Sequence, residues 1–118
     1  MEDSILLSVK KQLGIADDDT GFDDVIIIDI NSVFGVLTQL GVGPDEGYSI
    51  SDDSATWSDY LGDTKLLEIV KAYMYLKVRM IFDTPTSGAM NSAHEQLISE
   101  YEWRINVMVD PGWDQMEE

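Results

Sequence analysis

The sequence predicts an all-α fold, a small bundle of about four helices. Three observations carry this expectation. First, apolar residues recur at spacings of three and four over Lys65–Ile81, at Leu66, Ile69, Val70, Tyr73, Leu76, Met80 and Ile81, which places them on one face of a helix. Second, the same period returns after a break, at Met90, Ala93, Leu97, Tyr101, Ile105 and Met108. Third, the break Asp83-Thr84-Pro85-Thr86-Ser87-Gly88 contains helix-stopping residues. Pro85 lacks an amide donor and drives Thr84 out of the helical region, while Gly88 tolerates a positive φ. A short link between two long helices makes them antiparallel neighbours, so the second half reads as a helical hairpin.

Earlier elements follow the same reasoning. Ser4 is a good N-cap, with Glu2 and Asp3 favourably placed at a helix start. Ile5, Leu6, Val9 and Leu13 form one stripe, Lys10 and Lys11 suit the negative end of the dipole, and Gly14 closes a helix of about 4–13. Ala16 to Gly21 is a polar loop, after which Phe22 is placed as a staple before a helix capped by Asp23 or Asp24.

Val25-Ile26-Ile27-Ile28 has the composition of a strand. The helical period nevertheless continues through Ile30, Val33, Phe34, Leu37 and Leu40, over more residues than a strand usually has. A helix over Asp24–Leu40, buried on more than one face, is therefore expected.

The next stretch, 41–59, is punctuated by Gly41, Gly43, Pro44 and Gly47, with weak alternation at Tyr48–Ser51. It reads as a long loop or a small β-hairpin. Trp57–Leu61 makes a single helical turn leading to Asp63, the expected cap of the next helix. The domain organisation expected is one helical domain over 1–110 and a mobile acidic tail over 111–118.

Composition narrows the functional classes. The 118 residues contain 44% apolar residues, ordinary for a globular protein. The charge is not ordinary: 7 Lys and Arg face 23 Asp and Glu, a net −16. Residues 1–64 hold 14 acids against 2 bases, and residues 65–118 hold 9 against 5. Such a field repels nucleic-acid backbones and argues against ordinary DNA binding. It suits a plain solvated surface, a cation binder, a DNA mimic aimed at a basic partner, or the wall of a passage through which DNA slides.

There is no cysteine, which excludes disulfides and Cys-rich zinc sites. The start Met1-Glu2-Asp3-Ser4 lacks the basic and apolar regions of a secretory signal, and the run Val25–Ile28 is far shorter than the ~20 residues that span a bilayer. Synthesis inside the cell, with no membrane partner, is the expectation.

No motif assigns a chemistry. Asp17-x-Asp19-x-Gly21 resembles a calcium loop only at its start, since Phe22 and Ile28 fall where the EF-hand needs Gly and Glu. His94 is the single histidine, and its neighbours suggest no activated arrangement. Phosphate-binding and nucleophile-elbow glycine patterns are missing. No enzyme, metal or cofactor is predicted. The aromatic residues point elsewhere. Tyr73 and Tyr101 lie on the apolar stripes, whereas Tyr75 and Trp103 fall off them, and large aromatics on a small surface suit a partner interface. Arg104 stands beside Trp103 and within reach of Glu100.

The run Leu67–Pro85 resembles the third helix and following turn of the head–tail connector (adaptor) proteins of long-tailed bacteriophages. Glu100–Val107 is similar to that family's last helix, and Trp57-Ser58-Asp59-Tyr60-Leu61 fits the segment before the third helix. The resemblance implies a structural virion protein with no catalytic residues. It implies a ring, typically dodecameric, beneath the portal protein, which extends the DNA channel and docks a downstream neck, stopper or tail protein. The expected location is the head–tail junction of the virion, after synthesis in the bacterial host cytoplasm. On this reading Trp57, Tyr60, Trp103, Arg104 and Trp113 are candidate interface residues. Asp17, Asp18, Asp19, Asp45, Glu46, Asp52 and Asp53 are candidate channel-facing acids. The alternative is a monomeric acidic protein that inhibits a DNA-binding protein by mimicking its ligand.

Overall fold

A computed structural model describes residues 4–44, 46–61, 65–82 and 88–109. Four longer helices and one short turn account for most of them: α1 (Ile5–Gln12), α2 (Asp23–Gln39), α3 (Trp57–Tyr60), α4 (Lys65–Phe82) and α5 (Gly88–Val109). No strand occurs among the described residues; Ser4 and Thr56 form an isolated bridge. The all-α expectation holds.

Helix α1 starts and stops as its sequence dictates. The Ser4 Oγ accepts from the Leu7 N–H, and the chain leaves the helix through Gly14 at φ 79°. Ile5, Leu6 and Val9 are buried on α2 and α4. Helix α4 is the central element and touches α1, α2 and α5. Its fully buried face is Val70, Tyr73, Met74 and Val78, with Leu67 nearly so, while Ile81, placed on the stripe by spacing, is half exposed near the helix end. Helix α5 runs back along α4, and the Tyr73 hydroxyl donates to Glu102 Oε2 at 2.7 Å.

Several expectations are corrected. The cap of α2 is the backbone of Phe22, without a side-chain cap bond, and Asp23 and Asp24 instead occupy the first turn. There they still suit the positive end of the dipole. Helix α2 is buried along one face, Ile26, Ile30, Val33, Phe34 and Leu37, while Val25 and Ile28 point outward. On α5 the inward face is His94, Ile98, Tyr101, Ile105 and Val109, with Ala93 and Leu97 exposed. The polar His94 stands on the inner face and masks its period. The expected Asp63 cap lies outside the described residues.

Among the described residues of 41–56 there is no hairpin, because backbone groups there are taken by other parts of the chain. The Asn31 carboxamide holds both polar groups of Ile50, donating to its carbonyl at 3.0 Å and accepting from its N–H at 2.8 Å. Ser4 Oγ donates to the Asp53 carbonyl, and the Ile5 N–H to the Ala55 carbonyl. Val42 and Ile50 are buried. Gly43 adopts φ 80°, and a Cβ there would lie 2.7 Å from the Tyr60 ring. Thr56 and Asp59 then form a reciprocal capping box that starts α3.

Asp29 is the exception in the apolar face of α2. It is almost wholly buried, its Oδ2 lacks a hydrogen-bond partner among the described residues, and burial pushes its carboxyl pKa up.

Candidate functional site

Two surfaces stand out against an otherwise polar exterior. The first is built by the start of α2 and the end of α4. Phe22, Val25 and Ile28 succeed one another at spacings of three, so they share the outer face of the first turns of α2. The Phe22 ring meets Phe82, the chain neighbour of Ile81, edge-on with centroids 5.6 Å apart. Ile28 is 66% exposed, and Phe22, Val25 and Ile81 are each about half exposed. Exposed large apolar side chains on a small domain are candidates for an interaction surface.

The loop that precedes this patch is held by a buried cation. Lys10 is fully buried, its Nζ lies 2.9 Å from Asp23 Oδ1, and it donates to the Asp17 carbonyl at 3.1 Å. A lysine so placed folds the acidic loop Ala16–Gly21 back onto the end of α1. Sequence reasoning put Lys10 at the helix end for its dipole and missed this ion pair. The signal available was its place in the stripe Leu6–Val9–Lys10–Leu13.

The second surface is the outer side of α5. Trp103 is 67% exposed, the largest exposed aromatic among the described residues. Next to it Arg104 pairs with Glu100 one turn earlier, both in solvent. The pair contributes little to stability at such exposure.

The other predicted interface aromatics lie elsewhere. Trp57 is fully buried and Tyr60 nearly so. Trp57 Nε1 donates to Ser8 Oγ at 3.0 Å, and its ring is near those of Phe34, Tyr60 and Tyr75. Phe34 meets Tyr48 and Tyr60 edge-on, and Tyr48 and Tyr60 lie tilted to each other, with centroids 4.7–5.1 Å apart. Their burial, more than any other charge or bond, raises the Tyr60 hydroxyl pKa. These aromatics anchor the 41–56 segment rather than face a partner. Tyr75 is half-buried. Trp113 lies outside the described residues.

The acids sit at the two ends of α1. Asp17, Asp18 and Asp19 are exposed at its C-terminal end, and Asp52 and Asp53 at its N-terminal end. From Ser4 to Lys10 is about 9 Å at 1.5 Å per residue. Glu46 is also exposed, and Asp45 is outside the described residues. Some of these carboxylates serve turns. Asp19 Oδ1 accepts from the Gly21 N–H, and Asp52 Oδ1 accepts from the Ser54 hydroxyl and N–H, which holds the Asp52 carboxyl below its ordinary pKa. Among the described residues no three His, Cys, Asp or Glu side chains gather as a metal site would need. His94 is half-buried in α5. No described helix is long and apolar enough to cross a membrane.

Neither the curated proteins nor the solved structures gave a match. The family model described as "Phage connector protein" matches residues 5–112, from the first residue of α1 to just past the end of α5. The chain therefore belongs to the phage connector protein family.

Proposed function

We propose that the chain is a head–tail adaptor subunit. Copies of it close into a ring, most simply dodecameric, under the portal protein, extend the DNA channel and dock the next neck, stopper or tail component. The observation that carries this reading is the family match over residues 5–112, since connector proteins are structural parts of the phage virion. The two separate surfaces support it. A ring subunit needs two different faces, because head-to-tail contacts close a cycle only when each copy offers one face to each neighbour. The Phe22–Val25–Ile28–Ile81 patch and the Trp103–Arg104 side of α5 supply two such faces. Apolar area of this kind has no use in a DNA mimic, whose face carries carboxylates.

The acids give the ring its field. With a net −16 on each copy, a channel wall bearing Asp17, Asp18, Asp19, Glu46, Asp52 and Asp53 repels phosphate and lets the duplex pass without sticking. Like charge also opposes assembly of free subunits, so salt or the portal surface favours closure.

The test is negative-stain microscopy with mass measurement on the full chain, with and without portal protein, over a range of salt. Closed rings, alone or on the portal, are expected. A chain that stays monomeric under every condition overturns the reading and favours the inhibitor alternative.

A further inference from the structure

Two exposed helix stripes carry no charge in a chain of net −16. On α2 the stripe is Val25, Ile28, Ser32, Gly35 and Gln39. On α5 it is Ser92, Gln96, Ser99, Trp103 and Asn106. Both advance by alternating steps of three and four, the spacing at which one helix lies along another. All ten residues are exposed, and each stripe lies opposite the buried face of its own helix. Copies that repel each other elsewhere approach most closely where acids are absent.

The two stripes differ in relief. Trp103 projects from α5, 67% exposed. Gly35 leaves a gap in α2, where a Cβ would meet nothing within 4 Å. Glycine inside a helix weakens it, and nothing in its own chain fills the space above this one. A groove of about 250 Å³ opens there, lined by Asn31, Gly35 and Thr38 of α2 and by the segment Glu46–Ser49. Its walls combine the Tyr48 ring with the oxygens of Thr38 and Glu46, which suits an indole, apolar in body and polar at its N–H. Glu46 is exposed at the rim. Arg104, the neighbour of Trp103, is the matching cation. Its guanidinium has donors to spare beyond its bond to Glu100.

Height along the helices decides the register. Phe22 at the start of α2 meets Phe82 at the end of α4, and α5 returns along α4 with Glu102 at Tyr73. Helices α2 and α5 therefore run the same way. At their far ends a Cβ on Gly41 would lie 3.2 Å from Val109 Cγ2. Gly35 and Trp103 each stand six residues before these, about 9 Å back along the axis, so they are nearly level. A rotation about an axis along the helices sets neighbouring copies at equal height. Trp103 of one copy then stands beside Gly35 of the next, and Ser99 beside Ser32.

We propose that Trp103 of one copy enters the groove over Gly35 of its neighbour, with Arg104 facing Glu46 and the two uncharged stripes lying along each other. The proposal rests on the ring reading in needing copies side by side. The ring reading places Glu46 on the channel wall, so the rim is where contact and wall meet.

Disulfide trapping tests it in the full chain, which has no native cysteine to compete. Ser32→Cys chains are mixed with mass-tagged Ser99→Cys chains and oxidised over a concentration series, with and without portal protein. The S32C–S99C heterodimer is expected to exceed both homodimers. Its yield should fall at least about fivefold when the S99C chain also carries Trp103→Ala, or the S32C chain also carries Gly35→Leu, as loss of an anchor or its pocket should cause. Gly35→Leu should meanwhile raise Tm, because leucine is the better helix former at an open position. A lower Tm would show that Gly35 serves its own chain and overturns the proposal. So does a heterodimer yield indifferent to Trp103 or Gly35, or no excess of heterodimer under any condition. Negative stain of the same samples separates the two readings. Rings without the crosslink remove this contact and leave the ring. The crosslink without rings keeps the contact and removes the ring.

Discussion

The Tyr73 hydroxyl donates to the Glu102 carboxylate at 2.7 Å, tying the middle of α4 to α5 across a loop of sequence between them. Tyr73 itself is fully buried. Burial raises its hydroxyl pKa, and the hydrogen bond and charge of Glu102 raise it further. Tyr73→Phe removes a hydrogen bond to a charged acceptor and should cost about 1.5–3 kcal/mol, measured by urea denaturation. The pH dependence has a definite sign. Below pH 10 the phenol is protonated in both folded and unfolded chains. Above it the unfolded chain loses the proton while the folded one keeps it, so stability falls as pH rises. The alkaline slope should be shallower in Tyr73→Phe. An equal slope would show that this bond does not set the titration.

Replacing Lys10 by Ala leaves Asp23 without its cation, opens a cavity at the end of α1 and frees the Asp17 carbonyl. A loss of about 2–4 kcal/mol is expected. Lys10→Met keeps the stem and should recover part of it. Thermal melts of the three proteins, at low and moderate salt, check both the order and its weak dependence on salt, since a buried pair is poorly screened.

Gly43 leaves no room for a side chain. Its φ of 80° costs an L-residue about 1–2 kcal/mol, and a Cβ would also press on Tyr60. Gly43→Ala should destabilise by about 2–3 kcal/mol in chemical denaturation. The double variant Gly43→Ala, Tyr60→Leu tests whether the ring is the obstacle, because coupled neighbours depart from additivity.

Asp29 gives the opposite pH behaviour from a surface acid. Its folded pKa lies above the ordinary 3.8, so the folded chain holds a proton that the unfolded chain has already lost. Stability therefore falls as pH rises from 3.8 through the folded value, and the cost is complete above it. Asp29→Asn should raise stability at neutral pH by about 1 kcal/mol, roughly 4 °C in Tm. The gain should vanish near pH 3. A gain that persists there would mean that the charge is not its source.

Ile28→Glu and Trp103→Ala separate folding from assembly. Both side chains are about two-thirds exposed, so each variant should unfold within about 0.5 kcal/mol of the parent. Each should nevertheless weaken association, read as the shift in ring-to-monomer ratio by mass measurement with the portal present. Loss of folding instead would show that these residues serve the core.

Much of the fold was legible because caps and period act locally. Ser4, Gly14 and the Trp57–Leu61 turn declared their elements, and Pro85 and Gly88 separated α4 from α5. What escaped depends on tertiary structure. Nothing local tells that Lys10 finds Asp23, or that Asn31 clasps Ile50 and so cancels a hairpin. On helix α5 the assigned face was right at Tyr101 and Ile105 but one residue off at Ala93 and Leu97, where the polar His94 and its neighbour Ile98 turn inward instead. The surface was legible in part. Trp103 fell off its stripe and is exposed, whereas Trp57, with no stripe to judge it by, turned out to be core. The Val25 and Ile28 patch was hidden by reading the whole apolar run as interior.

The bonds from Ser4 to Asp53 and from Trp57 to Ser8 each join residues 49 positions apart. The first helix thus leaves the ribosome long before its supports exist. At about 5–20 residues per second, that wait lasts roughly 2–10 s. In that interval Ile5, Leu6 and Val9 have no completed pocket.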